Sequence, residues 1–542
     1  MSLILAVALV GCGSDDDTVS DATTASTAAP GTAAGTDAPS SDAPSSDAPS
    51  TDAPTTDAPR PGGSMTYIQT VDASFDVASM FFIGPSALGG PLIHDTLVRV
   101  DLATDEVIPR IAESLTSDDT ATTWTITLRE GVTFTDGTAY DADAVVFNWD
   151  RMKDPALAAP CKSKIDPLTY TATDARTITV ELPAPQVAFP YTVWDCLSRV
   201  ASPTAIQKFG AEYGSTPDKI VGAGAFTVTS LVPGTSFTLV KNPDFWDAPR
   251  PYLDELTVQG SADNTTTMDA ILSGTVGGGF MTTFDANYER GVDAGLLEVL
   301  TLSAGGTGQF FNISKPPFDD VRVRKALQLA TDLEDFNEKA ADGQLTLLDA
   351  YYTEDSPYYD PEIRQSTNDL EAAQALIDEY VAEKGGPVTF ELLGAETFNL
   401  INTVLQQQWS RLENVEISFT QLANTDWRAR RATGDFQITA GISNCSDPEC
   451  FYNLYYSTST ANVAKYSSPE LDALIEEARA EPDVGRRKEL FSQITRTIVI
   501  DEPAGVILYR LGSPVFFDPE LVGGVEKYDA STADLTSLWL KE

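Results

Sequence analysis

Apolar and polar residues follow two different periods along most of the chain. The run Trp124–Leu128 places apolar side chains at every second position, which is typical of a half-buried strand. Asp141 then precedes a stretch in which Val145, Val146 and Trp149 share one helical face, and aspartate is a preferred residue just before a helix. Short strands that alternate with amphipathic helices predict an α/β fold.

Four later stripes of apolar residues recur at helical spacing. The pair Ser468 and Pro469 stands just before one of these stripes. Proline is favoured at the first position of a helix, so this pair predicts a helix start. We expect all four stripes to pack into the core. They are Val323, Ala326, Leu327 and Ala330; Leu370, Ala373, Ile377 and Tyr380; Leu471, Leu474, Ile475 and Ala478; and Leu490, Phe491, Ile494 and Ile498.

The N-terminus carries a short apolar run, Leu3–Val10, that leads into Gly11 and Cys12. A membrane-spanning helix takes about 20 residues, so the run fits the hydrophobic part of a signal peptide. The segment resembles a bacterial lipobox, in which the cysteine is lipidated and becomes the mature N-terminus. We predict a lipoprotein signal peptide at 1–12 and a membrane anchor on Cys12; an ordinary cleaved signal is the alternative.

Residues 13–64 form a segment rich in Asp, Ala, Pro, Ser and Thr. From Asp37 onward it repeats with a period of five, and each repeat contains a proline. Low hydrophobicity prevents a packed core, and regularly spaced prolines favour an extended chain. The segment is therefore predicted to be a disordered linker.

The charge balance excludes one class of partner. The 542 residues include 35 Lys and Arg against 80 Asp and Glu, a formal net charge of −45. Proteins that bind nucleic acid need positive charge to neutralise phosphates, so no nucleic-acid partner is expected.

Four cysteines remain beside Cys12: Cys161, Cys196, Cys445 and Cys450. An even number outside the cytoplasm indicates disulfides. Of the three pairings that can be drawn, we favour Cys161–Cys196 with Cys445–Cys450; buried free thiols are the alternative. No metal site is expected, because no Cys-x-x-Cys spacing occurs and zinc sites usually also draw on histidine.

The single histidine, His94, limits the catalytic chemistry that the chain can perform. Any Ser-His-Asp or Cys-His system would have to use it, yet the chain has no Gly-x-Ser-x-Gly motif and no phosphate-binding loop. His94 lies in an apolar, helix-like run, so we expect a structural role. Neither catalysis nor a cofactor is predicted.

The order of motifs over nearly all of 62–542 resembles the family 5 extracellular solute-binding proteins, the oligopeptide- and dipeptide-binding type. The motifs are Asp95–Val98, Ala112–Ser114, Leu128–Phe134, Asp136–Thr138, Asp143–Phe147, Gly222–Phe226, Lys241–Trp246, Pro251–Asp254, Leu272–Gly274, Pro317–Ala326 and Tyr466–Asp472. The resemblance implies a periplasmic-binding-protein-like fold of type II, a three-lobed Venus flytrap.

In that architecture lobe I comprises 65–98, 190–300 and 505–542, lobe II comprises 99–189, and lobe III comprises 301–504. The family binds its ligand between lobes I and III, which close by hinge motion, and delivers it to an ABC permease and ATPase complex. The resemblance therefore implies an extracytoplasmic, monomeric protein that captures a peptide or another small molecule.

The resemblance also implies where the ligand lies. One wall is the loop around Phe82 and Ser86, and the other comprises Trp427 and the loop 441–448. Peptide-binding relatives commonly carry Gly-Trp-x-x-Asp in that loop, and here the Trp and Asp positions fall on Gly441 and Asn444. Asp447 lies three residues further on, where its carboxylate can substitute for the missing one; a shift of the alignment within the loop is the other interpretation.

Several alternatives stay open at this point. Phe82 and Trp427 can instead be core residues, and Asp447 can cap a turn before Pro448. The departures at Gly441 and Asn444 weaken the peptide assignment, which leaves sugars, opines and other organic solutes as ligands. A cell-surface sensory or interaction protein on the same fold would need no permease or ATPase genes beside its own.

Overall fold

The computed structural model describes residues 58–71, 75–79, 89–101, 106–157, 159–261, 263–282, 285–354, 356–395, 398–442, 449–459, 461–526 and 533–541. The predicted signal peptide, Cys12 and all of the linker before Ala58 lie outside these ranges. Within them, no helix combines the length and apolar character that crossing a bilayer requires.

Eighteen strands are assigned in the described ranges. They are β1 Ser64–Gln69, β2 Val98–Asp101, β3 Glu106–Pro109, β4 Ala112–Ser117, β5 Thr123–Leu128, β6 Thr169–Asp174, β7 Thr177–Glu181, β8 Phe226–Val232, β9 Ser236–Lys241, β10 Glu255–Gly260, β11 Gly278–Phe280, β12 Leu297–Phe311, β13 Val388–Ala395, β14 Val415–Leu422, β15 Ile438–Ile442, β16 Gly505–Phe517, β17 Val522–Gly523 and β18 Trp539–Leu540.

The helices are distributed along the chain between these strands. They are α1 Gly89–His94, α2 Ala142–Met152, α3 Lys162–Ile165, α4 Phe189–Thr192, α5 Pro203–Phe209, α6 Asn264–Leu272, α7 Ala286–Asp293, α8 Val321–Leu329, α9 Leu333–Ala341, α10 Leu370–Lys384, α11 Asn399–Trp409, α12 Asn424–Thr433, α13 Glu449–Tyr455, α14 Pro469–Ala480 and α15 Val484–Arg496. The predicted α/β class is confirmed.

Ten strands form one mixed sheet in the order β14-β13-β15-β12-β16-β11-β1-β10-β9-β8. We call β11, β1, β10, β9 and β8 the β1 half, and β14, β13 and β15 the β13 half. The long strands β12 and β16 run through both halves and are called the crossing strands. The predicted boundary 300/301 falls within β12 and the boundary 504/505 falls at the start of β16, so the lobe limits stay predictions.

A separate four-stranded antiparallel sheet, β4-β5-β7-β6, lies within the region predicted as lobe II. Trp124, Ile126 and Leu128 of β5 are buried, as the alternating pattern predicts. The Cys161–Cys196 disulfide joins the start of α3 to the π-helical segment Val193–Leu197, which confirms the favoured pairing.

The second pair of cysteines is described only in part. Cys450 is disulfide-bonded, while Cys445 lies outside the described residues. The Cys445–Cys450 pairing therefore stays a prediction.

The helix starts read from the sequence are present. Asp141 caps α2 by accepting a hydrogen bond from the Ala144 backbone N–H at 2.9 Å. Ser468 caps α14 in the same way, with Pro469 at the first helical position. The predicted stripes are largely buried, although Val146, Leu370 and Leu474 keep part of their surface exposed.

A buried ionic cluster brings together residues from three of the sequence motifs. Arg110 donates from Nε and Nη2 to Asp95 at 3.2 Å, and Trp246 Nε1 donates to the same carboxylate at 2.7 Å. The guanidinium carbons of Arg110 and Arg129 lie 4.9 and 4.5 Å from the centre of the Trp246 ring. Since a buried charge is tolerated only when it is well paired, these residues fix how their segments pack.

Candidate ligand cleft

The crossing strands connect the two halves of the sheet. Near its start β12 pairs with β16 through Leu297 and Phe517, and Phe517 also pairs with Gly278 of β11. Near its end β12 pairs with β15, from Thr307 opposite Ile442 onward. The register between β12 and β16 shifts between Leu302 and Gly306 and again after Thr307, so the strands are irregular where they pass from one half to the other.

The strand directions make the carboxyl ends of the two halves face each other. Both β11 and β12 run antiparallel to β16, so β12 leaves the β1 half beyond the carboxyl end of β11. It is antiparallel to β15 and enters the β13 half at the carboxyl end of that strand. Ligands in open α/β sheets bind outside the carboxyl ends of strands, so this junction is the expected place for a site.

A cavity of about 720 Å³ lies at this junction, within the range of roughly 300–1,000 Å³ that is typical of small-molecule sites. Besides β16, the lining comes from the segment after β11 with α7, on the side of the β1 half, and from α9, α11 and their connections, on the side of the β13 half. The lining residues are Thr282, Asp285, Ala286, Glu289, Ala340, Ala341, Asp342, Gln344, Leu345, Phe398, Leu400, Ile401, Tyr509, Arg510 and Gly512. A ligand here would contact both halves of the molecule at once.

One wall of the cavity is apolar. Phe398, Leu400 and Ile401 lie just after β13, at the start of α11, and Leu400 is 54% exposed. An exposed leucine next to an aromatic ring in a concave surface is typical of a binding site.

The opposite wall is acidic. Asp285 caps α7 by accepting from the Asn287 backbone N–H at 2.8 Å, and it also accepts from Asn264 Nδ2 at 2.8 Å. Glu289 lies one turn further along α7 and accepts from Gln344 Nε2 at 3.1 Å. Because Gln344 follows α9, on the side of the β13 half, this hydrogen bond links the two sides of the cavity at its edge.

Trp427, predicted as a ligand contact or a core residue, lies behind the apolar wall. It is buried on α12, and its Nε1 donates to Thr439 Oγ1 at 2.9 Å. Its ring centre lies 5.6 Å from that of Phe398, which lines the cavity. Trp427 thus supports a cavity residue through packing, and a direct contact with ligand stays a prediction.

Gly441 is buried on β15 opposite Gly308 of β12. A Cβ atom at Gly441 would lie 1.7 Å from Phe310 Cδ2, so the Phe310 ring occupies the space that a larger residue would need. Gly441 lines a small space of about 30 Å³ and is not part of the lining of the larger cavity. Its predicted contact with ligand stays a prediction.

The other predicted ligand residues, Phe82, Ser86, Asn444 and Asp447, lie outside the described residues. Phe398 and Leu400, which the structure places at the cavity, were not predicted from the sequence. A signal for them exists, because they follow the apolar run Val388–Ala395, which reads as a buried strand.

His94 is fully buried at the end of α1 and does not line the cavity. Burial, and next the positive charge of Arg199, lower the pKa of His94 to about 4. A Cβ atom at Gly222 would lie 2.7 Å from His94 Nδ1, so the ring is tightly enclosed. This environment agrees with the structural role predicted for His94. In the part of the chain that the structure describes, no group of three or more His, Cys, Asp or Glu residues could hold a metal ion.

The mixed sheet has two halves that are joined by crossing strands, and a cavity lies at their carboxyl ends. This is the architecture of the solute-binding proteins. The family model of bacterial extracellular solute-binding proteins, family 5, middle part, matches residues 106–463. This match spans more than half of the chain, which therefore belongs to family 5. It is a family of substrate-binding proteins and not of enzymes.

Curated relatives support this assignment. The chain is 26% identical over 444 residues to the periplasmic oligopeptide-binding protein OppA of Escherichia coli K12, covering 75% of this chain and 79% of OppA. It is 25% identical over 425 residues to the probable deoxycholate-binding periplasmic protein YgiS of the same organism, covering 72% and 76%.

Solved structures show the same fold. The oligopeptide-binding protein AppA from Bacillus subtilis, in complex with a nonapeptide, aligns with a TM-score of 0.72 at 19% identity, covering 90% of this chain and 100% of AppA. The binding protein AgaA of Agrobacterium tumefaciens, in complex with agropinic acid, aligns with a TM-score of 0.72 at 20% identity, covering 89% and 99%. These alignments confirm the predicted periplasmic-binding-protein-like fold.

Proposed function

We propose that this protein captures a peptide or peptide-like small solute in the cavity and delivers it to the permease of an ABC importer. The observation that carries the proposal is that the lining comes from the sides of both halves of the sheet. A ligand that contacts both halves stabilises their closed arrangement, which a permease can recognise as occupancy. The names of relatives such as OppA support a peptide as the cargo.

Micromolar binding corresponds to about −8 kcal/mol, which exceeds the few kcal/mol that separate typical open and closed states. A ligand of ordinary affinity is therefore sufficient to hold the halves together. No chemical step is needed for this function.

The finer features of this proposal rest on the sequence. Lipid on Cys12 would hold the protein at the outer face of the cell membrane, and the linker at 13–64 would let the folded part reach its permease. We propose that the protein acts as a monomer, because a single chain supplies both walls of the cavity.

The test is to purify the protein under native conditions, denature it and identify the released small molecules by mass spectrometry. We expect a peptide or peptide-like compound whose re-addition raises the thermal unfolding temperature. Phe398→Ala should weaken its binding by about tenfold, since truncating a central aromatic contact costs more than about 1 kcal/mol. Val484→Ala removes an exposed apolar side chain from α15 and is the matched control. A folded protein that releases nothing and is stabilised by no peptide mixture would refute the proposal.

A non-peptide organic solute is the second candidate for the cargo. The solved structure of AgaA, which has the same fold, is in complex with agropinic acid rather than with a peptide. The same mass spectrum distinguishes the two, because a non-peptide ligand contains no amino-acid fragments.

A further inference from the structure

We propose that the cavity receives a basic side chain, lysine or arginine, of a peptide or peptide-like solute. This inference rests on the proposed function and names the chemistry that the same cavity selects. It depends on how charge and apolar surface are divided between the two walls.

The first observation is the sign of the charges that line the cavity. Asp285, Glu289 and Asp342 are acidic, whereas Arg510 is basic. Asp285 and Glu289 are four residues apart on one face of α7, so both carboxylates lie towards the same region. An anionic group placed there would meet like charge, and a cationic group would be attracted.

The second observation is that these two carboxylates are not neutralised by the arginine on their own helix. The guanidinium of Arg290 on α7 pairs with Asp269 of α6 at 2.6 Å. Among the described residues, Asp285 accepts hydrogen bonds from Asn264 and the Asn287 backbone N–H, and Glu289 accepts one from Gln344; all three donors are neutral. Arg510 is the one basic residue among the described residues that line the cavity, and three carboxylates against one guanidinium leave the lining with a net negative charge for a ligand to meet.

The third observation is the apolar wall opposite. Phe398, Leu400 and Ile401 present hydrocarbon surface, and Leu400 is more than half exposed. Lysine and arginine bury their methylene stems against apolar surface while the charged end stays with polar partners. An apolar wall that faces an acidic one matches both parts of such a side chain.

The experiment measures selection among peptides that differ in one residue. Protein freed of ligand by unfolding and refolding is mixed with three equimolar tetrapeptide pools that carry one lysine, one norleucine or one glutamate in otherwise identical backgrounds. Gel filtration removes unbound peptide, and mass spectrometry counts the peptides retained. Norleucine has a straight hydrocarbon side chain, so the ratio of lysine to norleucine reports the contribution of the charge.

We expect lysine peptides to be retained about tenfold over norleucine peptides, the scale of one hydrogen bond to a charged group, and glutamate peptides to be depleted. Glu289→Gln keeps the size of the side chain and an acceptor for Gln344, and it should lower the lysine preference about threefold, the scale of a partly exposed ion pair. Raising the salt from about 0.05 M to about 0.5 M should lower it as well.

Asp293→Asn is the matched control, since Asp293 is an exposed acidic residue of α7 that does not line the cavity. It should leave the lysine preference unchanged. An equal fall in Asp293→Asn and Glu289→Gln would mean that the overall negative field selects the ligand, and it would overturn the inference.

Two further outcomes separate this inference from the proposed function. Retention of peptides without a preference for lysine would overturn the inference and leave peptide capture standing. Retention of no peptide by a protein that shows a cooperative thermal transition would overturn both.

Discussion

His94 should make the stability of this protein depend on pH in a defined window. The ordinary pKa of a histidine is 6.5, and that of His94 in the folded protein is about 4, because burial and then Arg199 disfavour the charged ring. The unfolded chain therefore binds a proton at a higher pH than the folded chain does. The contribution of a neutral His94 is fully present above about pH 6.5 and is lost as the pH falls towards 4.

The size of this effect follows from the difference between the two pKa values. Each pKa unit corresponds to about 1.4 kcal/mol, so the 2.5 units between 6.5 and about 4 amount to about 3 kcal/mol. Since the chain has no other histidine, the variant His94→Gln removes the histidine contribution completely. Glutamine has a similar volume and stays neutral over the whole range.

The assay is urea unfolding, followed by tryptophan fluorescence at a series of pH values between 8 and 4 for both proteins. Carboxylates titrate in both proteins, so the difference between them isolates His94. We expect the free-energy difference to be constant above about pH 7 and to shift by about 3 kcal/mol in favour of the variant by pH 4. A difference that stays constant down to pH 4, or a histidine NMR signal that titrates near 6.5 in the folded protein, would refute the reasoning.

Three further predictions test the scaffold. Replacing Cys161 and Cys196 together with serine should lower the free energy of unfolding by about 4 kcal/mol, because the chain-entropy model assigns that value to a loop of this length. Oxidised wild type is the reference, and an unchanged urea midpoint would contradict the prediction. Gly441→Ala should lower the free energy of unfolding by about 1–3 kcal/mol through the clash with Phe310. Adding Phe310→Leu to this variant should recover part of the loss. Additive losses in the double variant would show that the two residues are not coupled. The chain has a formal net charge of −45, so its thermal unfolding temperature should rise with sodium chloride, because salt screens the repulsion between like charges. A temperature that stays constant or falls with salt would show that favourable ion pairs outweigh this repulsion.

The helices were predictable because their signals are local. Asp141 and Ser468 cap the helices that the sequence predicts, and an N-cap acts within four residues of itself. Partial exposure of Val146 and Leu474 shows the limit of such patterns. A helical stripe identifies a face, but the elements that pack against that face decide how much of each side chain is covered.

The architecture of the sheet and the cavity walls could not be predicted from local patterns. The crossing strands pair residues more than 200 positions apart, such as Leu297 with Phe517, and no periodicity reports such pairings. Leu400 was not predicted because an exposed leucine in the sequence is indistinguishable from a buried one. The resemblance to the family implied the architecture and placed the ligand against loops, yet it did not identify the cavity residues Phe398 and Leu400.

Closure of the cleft and the choice of ligand depend on some of the same contacts. The hydrogen bond from Gln344 to Glu289 joins the two sides of the cavity, but it lies near solvent. Such a bond contributes about 1 kcal/mol, which is small beside the −8 kcal/mol of a micromolar ligand. We therefore expect a ligand of that affinity to contribute far more to closure than this one hydrogen bond does. Glu289 accepts the hydrogen bond from Gln344, and it also supplies one of the charges that we expect to attract a basic group. Binding of that group and closure of the cleft should therefore be coupled through this one side chain.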